Sequence, residues 1–162
     1  MATQATEAPV STELVEFDGS ASSDVRAEIA AFEAGDPGIM STFSGDDFFQ
    51  VAKEQLAATS NSLPINEHLK ETILLDNFVI QYVEIPNEKT GELSKSARVT
   101  LVDSTNKKSY HGTSMALVNS LKQIVAALGK KMPKDWAEPL PIQVVEEKSR
   151  AGFRFFKIVV VL

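Results

Sequence analysis

A chain of 162 residues, 43% of them hydrophobic, suits one compact domain with room for a tail, and two full domains would be crowded. With no cysteine it forms no disulfide, no thiolate nucleophile and no sulfur-ligated zinc site, and no apolar run approaches the roughly 20 residues of a membrane helix. The formal charge of −6 is uneven: residues 1–60 carry −9 and residues 61–162 carry +3, so the acidity that argues against a nucleic-acid partner sits mainly in the leader. The opening MATQATEAPV lacks the basic and apolar regions of a signal peptide. A cytoplasmic protein with no membrane partner is expected.

Residues 1–22 are rich in Ala, Thr, Ser and Glu and poor in large apolar side chains. They bury too little surface to offset the entropy of ordering, which predicts disorder. Ser23 can cap a short helix to Ala34, ended by Gly35-Asp36-Pro37-Gly38. Ser44 can cap a second, with Asp47 as the capping-box acid. There Phe48, Val51, Ala52 and Leu56 share one face, which is expected to dock. Pro64 breaks the chain, and Asn66 can cap one more turn.

From Thr72 the period changes. Residues 72–85 are β-branched and aromatic, predicting one long strand bulged at Asp76-Asn77. A loop with Thr90-Gly91 at its tip leads to a second strand over 97–103. Ser104 to Asn106 turn the chain into a third strand over 107–111. Thr113 or Ser114 then caps a helix whose apolar stripe is Leu117, Leu121, Ile124, Val125 and Leu128, with Gly129 as its stop. Two further strands, 141–148 and 153–161, are joined by a turn at 149–152. The expected class is mainly β. A five-stranded Greek-key barrel with one helix between strands 3 and 4, preceded by short N-terminal helices, is the OB plan. Its expected bounds are 39–162, after an acidic leader over 1–38.

The chemistry of the chain is sparse. His68 and His111 lie in different elements with no metal-ligand spacing, and both are expected to be structural. Asp46-Asp47 sits at a helix start, where carboxylates offset the dipole. Glu146 and Glu147 alternate across a strand and cannot form a dyad. No phosphate-loop, dinucleotide or nucleophile-elbow motif occurs. No catalytic residue, metal site or cofactor is expected, and the protein is read as a non-enzyme.

Cations and aromatic rings give the better signal. An OB barrel takes a nucleic-acid strand across strands 2 and 3, between the loops joining strands 1–2 and 4–5. Lys and Arg would hold the phosphates and ring faces would stack the bases. Lys89, Lys95 and Arg98 fall in the first loop and strand 2; Lys107, Lys108 and Tyr110 in the next turn and strand 3. Lys148, Arg150, Arg154 and Lys157 fall in or beside the last loop. Arg98 and Thr100 alternate with Val99 and Leu101, the pattern of an exposed face. Tyr82 joins Tyr110 as a stacking candidate, because a phenol tolerates a half-wet surface. Phe153 and Phe155 are expected in the core, and Trp136 as a plug at one barrel end.

The segments TFSGDDFF, ETILLDNFVIQYVEI, YHGTS and AGFRFFKIVVV give the chain, over roughly 40–162, a look that resembles the small single-stranded DNA-binding proteins of bacteriophages and mobile elements. That resemblance implies an OB-type fold, sequence-independent binding of single-stranded DNA during replication in the host cytoplasm, and self-association. Carried over by position, Arg98, Tyr110 and Arg154 would lie on or near the bound strand. Bacterial proteins of this kind end in an acidic tail that recruits partners, whereas this sequence ends in apolar IVVVL and carries its acid in the leader. The leader is therefore the expected contact for replication proteins, or a mimic of DNA phosphates that folds back on the domain. The rival role is an oligomeric protein-interaction or virion-assembly module, built on pairing of the apolar C-terminal strand.

Overall fold

A computed structural model describes residues 38–162, which belong to one structural unit spanning Gly35–Leu162. The expectations of disorder over 1–22 and of a helix from Ser23 to Ala34 lie outside the described residues. In chain order the elements are β1 (Ile39–Ser41), α1 (Phe48–Ser60), β2 (Leu63–Pro64), β3 (Ile73–Pro86), β4 (Leu93–Asp103), β5 (Ser109–Thr113), α2 (Met115–Ala127), β6 (Leu140–Lys148) and β7 (Arg154–Val160). Short 3-10 turns cover Ile65–Glu67 and Pro133–Asp135.

The long apolar stretch in mid-chain organises the sheet. Ile73, Leu75, Phe78, Val79 and Ile80 of β3 are all buried, as a central strand covered on both faces requires. One edge of β3 pairs with β4 along most of its length; the other pairs first with β6 and then, past the bulge, with β1. The order is β2-β5-β4-β3-β6-β7, antiparallel except for the β2–β5 pair. The ladder slips at Asp76, between Leu75 and Asn77. That is the bulge the polar pair announced.

Helix α2 makes the sheet curl. Ser114 caps it by accepting from the Ala116 N–H at 3.1 Å, and Gly129, at a φ of +76°, lets the chain leave it. Leu117, Val118, Leu121, Ile124 and Val125 are buried beneath it. At its start the Ser114 N–H reaches the Ala97 carbonyl of β4 at 3.0 Å. Further along, Ser120 Oγ accepts from the Ile158 N–H of β7 at 3.1 Å. In a flat sheet β4 and β7 would stand about 14 Å apart, three strand spacings. One helix touches both because the sheet closes around it. Gly112 permits the closest approach: a Cβ there would meet Ile65 at 2.7 Å.

The structure corrects several expectations. Among the described residues there are seven strands rather than five, because β1 and β2 are too short to show a period. β4 starts at Leu93 rather than 97, since β3 stays paired as far as Pro86↔Leu93. The third long strand is Ser109–Thr113 rather than 107–111; Lys107 takes a φ of +59° and belongs to the turn. Asp47, not Ser44, caps α1, accepting from Phe49 N–H at 3.0 Å and Gln50 N–H at 3.2 Å. Asn66 lies inside its turn rather than capping it.

The docked face of α1 is also displaced. Phe48 is 84% and Leu56 60% exposed, while Val51, Ala52, Gln55, Ala58 and Thr59 are half-buried. Polar bonds hold this helix: Ser109 Oγ–H donates to the Ala58 carbonyl at 2.6 Å, and Arg98 Nη2 to the Thr59 carbonyl at 3.3 Å. Hydrophobic spacing therefore misjudged its orientation.

Candidate nucleic-acid interface

The face of β4 and β5 on which a strand was expected is occupied by α1. Arg98 points into that contact, with Nη2 also 3.1 Å from Ser62 Oγ. Thr100 beside it is fully buried. On β5, His111 Nδ1 lies 2.8 Å from the same Ser62 hydroxyl. Burial and the neighbouring Arg98 charge hold the His111 pKa below its ordinary value. Arg98 is thus a clamp on α1, which corrects the expectation of an exposed cation.

Tyr110 lies on the opposite face of β5, opposite Leu101 in register. It is 5% exposed, with its ring 5.0 Å from that of His68. Tyr82, across from Ala97, is half-buried. The Tyr110 ring is thus covered, and Tyr82 is only partly exposed. Alternation shows that two faces differ; it does not show which one meets water.

The remaining cations divide by register between the two ends of the sheet. Lys89 and Lys95 belong to the β3–β4 hairpin, where Lys95 stands opposite Glu84 and Glu88 and Glu92 flank Lys89. β4 then runs its 11 residues, about 36 Å of extended chain, before reaching Lys107 and Lys108. Because β6 runs antiparallel to β3, the β6–β7 hairpin projects at the same end as that turn. There Lys148 faces Arg154 across the ladder, and Arg150 is exposed. Arg154 stands 3.6 Å from Glu146, and Lys157 2.6 Å from Glu147. Lys107 Nζ lies 3.8 Å from Asp76 Oδ2 and is itself 78% exposed.

Open rings that sequence reasoning missed or misplaced occur in two places, the β6–β7 hairpin and the start of α1. Phe153, expected in the core, is 73% exposed at the hairpin tip, and Phe49 is 70% exposed. Phe48 and Phe49 open α1, and Lys53 Nζ sits 5.5 Å from the Phe49 ring centre. Phe155 and Phe156 are half-buried. Trp136 is half-buried too: its indole N–H donates to the Lys131 carbonyl at 2.8 Å, and it lines a cleft with Leu128, Leu140 and Pro141. The signal available in the sequence was the FF pair directly after a capping Asp, a first-turn position that rarely reaches a core.

Between α1, the β4–β5 turn and the bulge of β3 lies a cavity of about 610 Å³. Phe43, Asn61, Asp76, Asn77, Lys107 and Lys108 are among its lining residues. Burial raises the Asp76 pKa; Lys107 lowers it in part, and Asp103 adds to the rise. Among the described residues no cluster of His, Asp and Glu is fit to hold a metal ion, and no helix is long and apolar enough to cross a membrane.

Surface cations and open phenylalanine rings supply the chemistry that a flexible polyanion with planar groups requires. Residues 39–160 match the family model of the phage single-stranded DNA-binding protein, and the chain belongs to that family. It is thereby a single-stranded DNA-binding protein of phage replication. No curated protein and no solved structure matches the chain.

Proposed function

We propose that residues 39–162 bind single-stranded DNA in a sequence-tolerant, non-catalytic manner at one end of an open OB-type barrel. The order of the long strands, β5-β4-β3-β6-β7 with α2 between the third and fourth in sequence, supports the OB assignment. Lys107, Lys108, Lys148, Arg150 and Arg154 hold phosphates, and Phe48, Phe49 and Phe153 stack bases. The observation that carries this reading is the open Phe153 ring set among Lys148, Arg150 and Arg154 at the β6–β7 hairpin. Lys89, Lys95, Arg98, Tyr82 and Tyr110 lie outside this path. The acidic leader serves as the contact for replication partners or as a competitor for the cationic end.

Association of copies through the β7 edge is opposed at its centre, where the Ile158 N–H is already donated to Ser120. A salt-series titration with oligo(dT), oligo(U) and duplex DNA tests the proposal. Affinity for oligo(dT) should fall with a log–log slope of about −0.7 per phosphate neutralised and exceed that for duplex. Equal or tighter duplex binding would overturn it.

A further inference from the structure

The bulge in β3 is placed where it changes what a strand can present. Adjacent strand residues normally point to opposite faces; the slip between Leu75 and Asn77 leaves Asp76 and Asn77 both lining the cavity. Bulges re-aim side chains in this way beside binding sites. Asp76 Oδ1 is buried without a hydrogen-bond partner among the described residues, although its other oxygen stands near Lys107. The Asn77 carbonyl oxygen accepts from Thr42 Oγ–H at 2.9 Å, which orients its amide. A buried acceptor atom left unsatisfied costs stability, and a cavity beside it admits a donor. Phe43 supplies a ring in the same wall, and Lys107 and Lys108 line it at the turn. The volume of about 610 Å³ falls within the roughly 300–1,000 Å³ of small-ligand pockets.

We propose that this cavity receives one unstacked base of the bound strand and that Asp76 selects a base carrying an exocyclic amino group. The amino N–H donates to Asp76 Oδ1, the ring packs on Phe43, and the adjoining phosphate meets Lys107 or Lys108. Cytosine satisfies this arrangement. Uracil and thymine present a carbonyl at the same place, where two acceptors would face each other. The inference rests on the single-strand binding proposed above and adds a preference at one nucleotide of an otherwise tolerant site.

Oligo(dC) and oligo(dU) of equal length separate the two ideas, because the bases differ at the exchanged amino and keto groups and the adjoining ring nitrogen. The full chain is titrated with both at pH 8 and low salt. Wild type should bind oligo(dC) about tenfold more tightly, the scale of one hydrogen bond to a charged group. Asp76→Ala should bring the ratio to one while leaving oligo(dU) affinity within about twofold. Ala57→Phe, which fills the cavity from α1 without removing a polar group, should do the same and serves if Asp76→Ala does not fold. Equal wild-type affinities, or variants that weaken both strands alike, would overturn the base pocket while leaving the proposed function intact. Binding to neither strand would overturn both.

Discussion

At one end of the sheet the β3–β4 hairpin sets Lys89 and Lys95 among Glu84, Glu88 and Glu92. At the other, the β4–β5 turn and β6–β7 hairpin present Lys107, Lys108, Lys148, Arg150 and Arg154, with Glu146 and Glu147 already facing Arg154 and Lys157. Both ends carry lysines, two in the first and three in the second, and a count of lysines alone separates them little. They differ in local charge balance and in the ring beside them: Phe153 is open at the second end. A polyanion is attracted by net field rather than by cations counted singly. Stacking further requires a ring face that no neighbour covers. Only the second end meets both conditions.

The sharpest test removes the rings. Alanine at Phe49 or Phe153 should each cost about 1–3 kcal/mol of oligo(dT) affinity with the thermal transition unchanged, as both are largely exposed. Unaltered affinity in both variants would break the distinction between the ends. Next in size is charge. Lys107→Gln with Lys108→Gln should lower the salt slope by about 1.4, whereas the same change at Lys89 and Lys95 should leave it in place. Salt-series titrations of the two double variants compare the ends directly.

Smaller effects probe the cavity beside Asp76 and the clamp on α1. Because burial lifts the Asp76 pKa, the folded protein keeps that proton to higher pH than the unfolded chain. Stability is therefore lost as pH rises above the ordinary carboxylate value of 3.8 through the raised one. Asp76→Asn should accordingly melt higher than wild type at pH 7 and match it near pH 3. His111 acts in the opposite sense. Its lowered pKa means the unfolded chain takes up the proton first, so its share of stability is full above the ordinary value of 6.5 and declines as pH falls below it. The charged ring would also face Arg98 and strain the Ser62 clamp on α1. His111→Gln should flatten the dependence of the melting temperature between pH 7 and 5; an unchanged slope would remove His111 as its source.

Local rules in the sequence determined the long β3 strand with its bulge, helix α2 with its Ser114 cap and Gly129 stop, and the order of the five long strands along the chain. Each depends on a period or a turn preference expressed within a dozen residues. The tertiary structure alone decided which faces stay wet. Arg98 and Thr100 alternate as a solvent face would, yet α1 covers them, held by hydrogen bonds to its carbonyls that no hydrophobic pattern encodes. Tyr110 is covered beside His68 and the short β2 strand, and Phe153 was left outside at a hairpin tip. The cavity joining Phe43, Asp76 and Lys107 exists because a strand bulge, a turn and a helix distant in sequence meet. Burial is a property of the partner that lands on a surface, and the pattern of the surface itself does not name that partner.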